Sequence, residues 1–237
     1  MQAMIFAAGL GTRFKPWTDN HPKALALVNG KSLLQRNINY LQRFGIKDIV
    51  VNIHHFPDQL KKAIEENKGW GSNVIISDEG NEILETGGGL KKAIPLLHAS
   101  QIVLMNADIL TDLDLKSMEK FHQHSAAIAS IAVTDRKTSR YFLFDKNSVL
   151  CGWRNSTSGE ERISREGSNL VPKAFSGIHI INKELLSLLH WPGKIGIVDV
   201  YLELAKTHMI KAFDHSGGLL IDVGKPDSVG EAERMFE

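Results

Sequence analysis

Gly9-Leu10-Gly11 follows a short apolar run, Ala3-Met4-Ile5-Phe6-Ala7-Ala8, and leads into Thr12 and Arg13. Glycines at the exit of a buried strand let backbone N–H groups approach an anion closely, and phosphate is the usual anion there. Two phosphate-binding patterns can be tested on these residues. A dinucleotide loop needs a third glycine and a helix directly after it. Here position 14 is Phe and position 16 is Pro. A phosphate loop of the form G-x-x-x-x-G-K-S/T could end in Gly30-Lys31-Ser32, but its first glycine would then be residue 25, which is Leu. Neither pattern fits, and Gly30-Lys31-Ser32 reads as a turn with a helix N-cap.

A third pattern does fit. The order Gly9, Gly11, Arg13, Pro16, Thr18, then Pro22-Lys23 resembles the signature loop of the sugar-1-phosphate nucleotidyltransferases, the NDP-sugar pyrophosphorylases. The likeness runs over essentially the whole chain. It is nearest to the short N-acetylmuramate-1-phosphate uridylyltransferases and the mannose- or heptose-1-phosphate guanylyltransferases. The resemblance implies an Mg²⁺-dependent transfer of a nucleoside monophosphate from an NTP to a sugar 1-phosphate, with release of pyrophosphate. Such a reaction brings two anions together, so charge must be neutralised and the attacking and leaving oxygens held in line. The backbone from Ala8 through Gly9, Gly11 and Thr12 would then cradle phosphate oxygens. Arg13, planar and permanently charged, suits the departing pyrophosphate, and Lys23 suits the α-phosphate. Lys15 is either a further pyrophosphate contact or a solvated loop cation.

Other segments take roles from the same resemblance. Asn106-Ala107-Asp108, just past an apolar strand, matches the family's first metal motif, and Asp222-Val223-Gly224 matches its late D-x-G segment. Asp108 and Asp222 are therefore the expected Mg²⁺ ligands, with Asn106 on the sugar phosphate. Glu85-Thr86-Gly87-Gly88-Gly89 is expected to lie against base and sugar phosphate, with backbone around Gly87 and Gly88 reading the base and Glu79 as a further base contact. Phe175-Ser176-Gly177-Ile178 resembles the sugar-pocket strand, placing Ser176 and Gly177 at the hexose. Asp199 is either a sugar-hydroxyl acceptor or a helix N-cap. The family's Glu-Lys-Pro segment has no copy here, and Lys173 is its only nearby stand-in.

These residues need a frame, and the hydrophobic pattern supplies one. Apolar runs at 3–8, 48–53, 73–77 and 101–106 read as buried strands. Helical spacing follows Ser32 and spans 58–67 and 88–97. This alternation argues for a parallel sheet flanked by helices. Beyond it, 126–133 and 175–181 read as strands, and 141–144, 148–153 and 162–165 as short antiparallel ones. Segments 184–189, 198–206 and 226–236 read as helical, with a last strand at 219–223. Asp114 reads as a helix N-cap. The expected fold is α/β: a Rossmann-like, mostly parallel mixed sheet flanked by helices with a small antiparallel insertion, which the resemblance implies is the nucleotide-diphospho-sugar transferase fold. One domain over 1–237 is expected, with a nucleotide half to about residue 125 and a sugar-phosphate half from about 126.

Composition narrows the function classes. In 237 residues, 28 Lys plus Arg balance 27 Asp plus Glu, without the basic excess of a nucleic-acid binder. No run approaches the roughly 18 apolar residues of a membrane span, and the N-terminus lacks the basic flank of a secretory leader. The single cysteine, Cys151, excludes an internal disulfide framework and reads as a packed thiol. His54 and His55 read as loop residues. A cytoplasmic enzyme is expected, with a homodimer as a candidate assembly. Trp153 and Trp191 could serve an interface as readily as a core. Two alternatives stay open: transfer to an amino-alcohol phosphate such as phosphocholine, and a silent nucleotide-sugar sensor on the same fold. Retention of Arg13, Lys23, Asp108 and Asp222 favours the enzyme over the sensor.

Overall fold

The computed structural model describes residues 1–236. In chain order the strands are β1 (Gln2–Phe6), β2 (Leu27–Val28), β3 (Lys31–Ser32), β4 (Asp48–Ile53), β5 (Asn73–Asp78), β6 (Gln101–Asn106) and β7 (Ile109–Thr111). There follow β8 (Ala129–Thr134), β9 (Arg140–Phe144), β10 (Leu150–Asn155), β11 (Glu161–Ile163), β12 (Val171–Asn182), β13 (Ile210–Asp214) and β14 (Leu220–Asp222). The helices are α1 (Leu33–Arg43), α2 (Pro57–Glu66), α3 (Glu85–Ala93), α4 (Leu115–His124), α5 (Ile197–Leu204) and α6 (Asp227–Met235).

One ten-stranded mixed sheet organises the chain, with the order β11-β10-β9-β12-β6-β1-β4-β5 and with β8 pairing β12 and β13. The strands β5, β4, β1 and β6 run parallel. β12 then joins β6 antiparallel and continues the sheet into the second half of the chain. Strand β1 is buried throughout, which explains its unbroken apolar run: a central parallel strand has both faces covered. Met4 and Phe6 enter one hydrophobic cluster, with Leu90, Leu104 and Tyr201. Ala3 and Ile5 enter another, with Leu34, Ile38 and Met105. The side-chain period of two thus feeds two cores from one strand. A third cluster joins Phe14, Val28, Leu33, Val223 and Ala232.

Ser32 caps α1, its Oγ accepting from Gln35 N at 3.1 Å, and Asp114 caps α4, accepting from Lys116 N at 3.0 Å. The antiparallel insertion is β9–β10–β11. Three expectations are corrected. Strand β8 starts at Ala129, not 126, because Ala126 sits in a turn with φ 52°. Helix α3 starts at Glu85, not Gly88, so its three glycines are helical. Strand β13, which pairs parallel with β8, falls where no strand was read.

Candidate active site

The C-terminal ends of β1, β4, β5 and β6 open on a cleft of about 460 Å³. This is where an open α/β sheet gathers ligands. Ala7, Ala8, Gly9, Gly11, Thr12, Arg13, Lys23, Asn52, Glu79, Asn106 and Asp108 line it, along with Glu85, Thr86 and Gly224.

The loop after β1 is held from below. Thr12–Phe14 forms a single 3₁₀ turn, and Phe14 is buried in the third core. Thr18 is buried, and its Oγ1 donates to Gly11 O at 2.9 Å. These two anchors leave the backbone of 8–12 and the Arg13 side chain at the cleft wall. Lys15 stays outside, paired with Asp19 at 2.8 Å among exposed groups.

Lys23 opens a 3₁₀ turn after Pro22 and is mostly buried; its Nζ donates to Asp108 Oδ2 at 2.5 Å. Asp108 and Asp222 are brought together by a two-stranded ladder of β7 and β14, closed by Val223 N donating to Asp108 O at 2.8 Å. Asp222 Oδ1 is buried without a hydrogen-bond partner. Burial, with the Asp108 charge beside it, raises the Asp222 carboxyl above its ordinary range, while Lys23 and Arg13 pull the other way. Arg13 comes to the same point: a Cβ placed on Gly224 would lie 2.8 Å from Asp222 Oδ1 and 3.2 Å from Arg13 Nη2. A buried carboxylate oxygen with no donor, next to a second carboxylate, suits a hard cation that takes its remaining ligands from phosphate and water. Among the described residues no group of three or more His, Cys, Asp or Glu converges on one point.

The opposite wall is built differently from the expectation. Glu79 lines the cleft, but its carboxylate is engaged: Oε1 accepts from Asn52 Nδ2 at 2.6 Å and Oε2 from Leu84 N at 2.9 Å. Its burial raises the carboxyl above the usual range. Gly87 and Gly88 do not line the cleft, and both their amides donate to Ile195 O, at 2.9 and 3.1 Å. Their lack of side chains serves close packing. A Cβ at Gly88 would come within 2.6 Å of Gly193 O, and one at Gly87 within 2.9 Å of Ile195 O. The glycine run thus receives the 193–195 segment instead of offering free donors to a base. Thr86, whose Oγ1 accepts from Ile197 N at 2.9 Å, and Glu85 reach the cleft in its place.

The second-half candidates stand outside the cleft lining. Ser176 is wholly buried, its Oγ paired with His215 Nε2 at 2.8 Å. Gly177 has φ 74°, and a Cβ there would lie 2.7 Å from Ile109 and 3.0 Å from Asn106 Nδ2. It packs against Asn106 and Ile109. Asp199 accepts from Arg162 Nη1 at 2.7 Å. Lys173 is held by Asp135 and Asp214 at 2.6 and 2.5 Å, so its ammonium is already neutralised. His54 and His55 bond to backbone at Gly80 O and Thr18 O. Trp153 and Trp191 pack on the first core. Cys151 is buried and free, and burial raises its thiol pKa. Asn52 is a cleft residue that the sequence reading missed; the signal is a polar side chain near the C-terminal end of a buried strand, β4.

The family described as "Nucleotidyl transferase" matches residues 2–144. The N-acetylmuramate alpha-1-phosphate uridylyltransferase of Caulobacter vibrioides is 31% identical over 77% of this chain and 76% of its own. That of Neisseria meningitidis is 40% identical over 48% of this chain and 49% of its own, so that match spans about half of either protein. HddC from Yersinia pseudotuberculosis, solved in complex with GMP-PN, superposes with a TM-score of 0.79 at 24% identity, covering 100% of this chain and 99% of its own. That likeness carries the fold, the α/β mixed sheet of the nucleotide-diphospho-sugar transferases. With the family match over more than half its length, the chain belongs to the nucleotidyl transferase family as a sugar-1-phosphate nucleotidyltransferase of the uridylyl- or guanylyltransferase type, an enzyme that moves a nucleoside monophosphate from an NTP to a sugar 1-phosphate.

Proposed function

We propose that the enzyme is Mg²⁺-dependent and that its first substrate pair is UTP with N-acetylmuramate 1-phosphate, feeding cell-wall or polysaccharide precursor synthesis. The pair is that of two relatives by name. The observation that carries the chemistry is the convergence of Arg13, Lys23, Asp108 and the unpartnered Asp222 oxygen beside one cleft.

In this reading the backbone of Ala8 to Thr12 holds the triphosphate, and Arg13 neutralises the departing pyrophosphate. Lys23 leaves Asp108 for the α-phosphate. Asp108 and Asp222 would hold Mg²⁺, which supplies charge neutralisation at the phosphate oxygens. An oxygen of the sugar phosphate attacks the α-phosphorus, and the bond from that phosphorus to the pyrophosphate oxygen breaks. The attacking phosphate is already ionised near neutral pH, so no side-chain base is needed and positioning does most of the work. Asn106, at the end of β6, faces the acceptor phosphate. The chain acts as a single domain, with residues to about 125 serving the nucleotide and those from about 126 the sugar. The reading puts the reaction in the cytoplasm, where NTP and sugar phosphates meet. Assembly as a homodimer is a separate proposal, decided by sedimentation.

A pyrophosphate-release assay tests the reading. Four NTPs are crossed with sugar 1-phosphates and phosphocholine, with Mg²⁺ and with EDTA. One strong, EDTA-sensitive pair containing a sugar 1-phosphate is expected. Turnover with phosphocholine alone, or turnover undiminished by EDTA, contradicts it.

A further inference from the structure

Asn52 is almost wholly buried at the end of β4, under the cleft. Its Oδ1 accepts from Ala7 N at 2.8 Å, where the phosphate-facing loop begins. Its Nδ2 donates to Glu79 Oε1 at 2.6 Å, and Glu79 Oε2 accepts from Leu84 N at 2.9 Å, where the opposite wall begins. The chain of atoms runs Ala7 N–H, Asn52 amide, Glu79 carboxylate, Leu84 N–H. Both ends are backbone donors that cannot accept. The Asn52 oxygen must therefore face Ala7, and its NH₂ must face residue 79. Residue 79 then meets a donor on each side, so both its oxygens must accept, and only a carboxylate does that. Gly89 completes the arrangement: a Cβ there would lie 2.6 Å from both Asn52 Nδ2 and Glu79 Oε1.

We infer that Asn52 is a positioning residue for the transfer reaction: with Glu79 it forms a hydrogen-bonded crossbar that fixes the spacing between the two walls of the nucleotide cleft. The inference rests on the reading of that cleft as the NTP site. It assigns Glu79 a role through Asn52 and Leu84 instead of a contact with the base.

The donor count gives a sharp test. Glu79→Gln alone sets two N–H groups against each other, and Asn52→Asp alone sets two carboxylates together. The double variant Asn52→Asp with Glu79→Gln restores every bond. The carboxylate now at position 52 accepts from Ala7 N and from the amide NH₂ now at position 79, and the oxygen of that amide accepts from Leu84 N. Net charge is unchanged. The measurements are calorimetric titration with UTP and with GTP in Mg²⁺, the KM for each substrate, and thermal unfolding of each variant. Each single change is expected to weaken nucleotide binding about tenfold or more, the factor that one buried hydrogen bond of about 1.4 kcal/mol carries. The KM for the sugar phosphate should move less than the KM for the NTP. The double variant should bind within about threefold of wild type, on the margin that imperfect coupling leaves. Single variants that bind as wild type while folded overturn the crossbar, as does a double variant as weak as the worse single. A single variant that fails to fold moves the decision to the double variant, whose binding then settles it alone. A wild-type protein that binds neither nucleotide overturns the proposed function, and the crossbar role falls with it.

Discussion

Among the described residues that line the cleft, Gly224 alone comes from beyond residue 125. The first half presents backbone and cations to an open space. The second half ties its polar side chains to one another: Ser176 to His215, Asp199 to Arg162, Lys173 to Asp135 and Asp214. The cause is topological. Parallel strands end together on one edge, so their exit residues share a space. The second-half pairs form where elements distant in sequence meet: Lys173 on β12 pairs with Asp135 just after β8 and Asp214 at the end of β13, and Arg162 on β11 pairs with Asp199 on α5. The residues that line the cleft thus come almost entirely from the first half, while Ser176, Asp199 and Lys173 are engaged by partners and Asp222 keeps one unpartnered oxygen.

The comparison breaks most visibly at Arg13. Arg13→Ala should lower kcat/KM by about 10³-fold, the scale on which transition-state charge partners act, with the unfolding temperature unchanged. A loss below tenfold would remove the first half's claim to the chemistry. Lys23→Ala comes next. It should cost about 10²-fold in kcat/KM, and it leaves Asp108 without its cation.

Packing between the halves is tested at Gly88. Ala is the better helix former by about 1 kcal/mol, yet Gly88→Ala should destabilise by about 1–3 kcal/mol, because its methyl meets the Gly193 carbonyl. Denaturant unfolding decides the sign. A stabilised variant would mean the 193–195 segment yields.

Acid stability probes the second half. His179 is fully buried, paired at Nδ1 with Tyr201 Oη, and burial pushes its pKa from 6.5 down to about 3. Burial lowers His122 and His215 as well. With the folded value depressed, the unfolded chain takes up protons first. Stability is full above pH 6.5 and falls as pH drops from there toward 3, by up to about 1.4 kcal/mol per pH unit for one histidine. His179→Gln should flatten the dependence of unfolding temperature on pH across that window. A curve that stays as steep would place the acid sensitivity elsewhere.

The smallest effect is expected at Asp199. Its pairing with Arg162 is about half exposed, and such pairs contribute about 0–1 kcal/mol. Asp199→Asn should alter the KM for the sugar phosphate less than about fivefold, the factor to which 1 kcal/mol corresponds. A tenfold rise would return Asp199 to the sugar pocket.

The parallel strands were legible because each is a largely apolar run, and the structure places Asn106 and Asp108 at and just past the end of one of them, in the cleft lining. Asn52 is likewise a polar residue near the C-terminal end of a buried strand, β4, and it also lines the cleft. The start of α3 was hidden by its glycines, whose helix propensity is poor; the docked 193–195 segment compensates, and no local pattern encodes that. Strands β2, β3 and β7 are two or three residues long, too short for a period to show. The partners of Lys173 lie 38 and 41 residues away in the chain, so its neutralisation could be seen only once β12 was placed beside β8 and β8 beside β13.

The most direct measurement is a crystal structure of the enzyme grown with a non-hydrolysable UTP analogue and Mn²⁺, with anomalous data at the manganese edge. The account predicts one anomalous peak bound by Asp108 and Asp222, the triphosphate along residues 8–13 with Arg13 on it, and Lys23 moved from Asp108 to the α-phosphate. A nucleotide bound elsewhere, or a metal held without either aspartate, would contradict it.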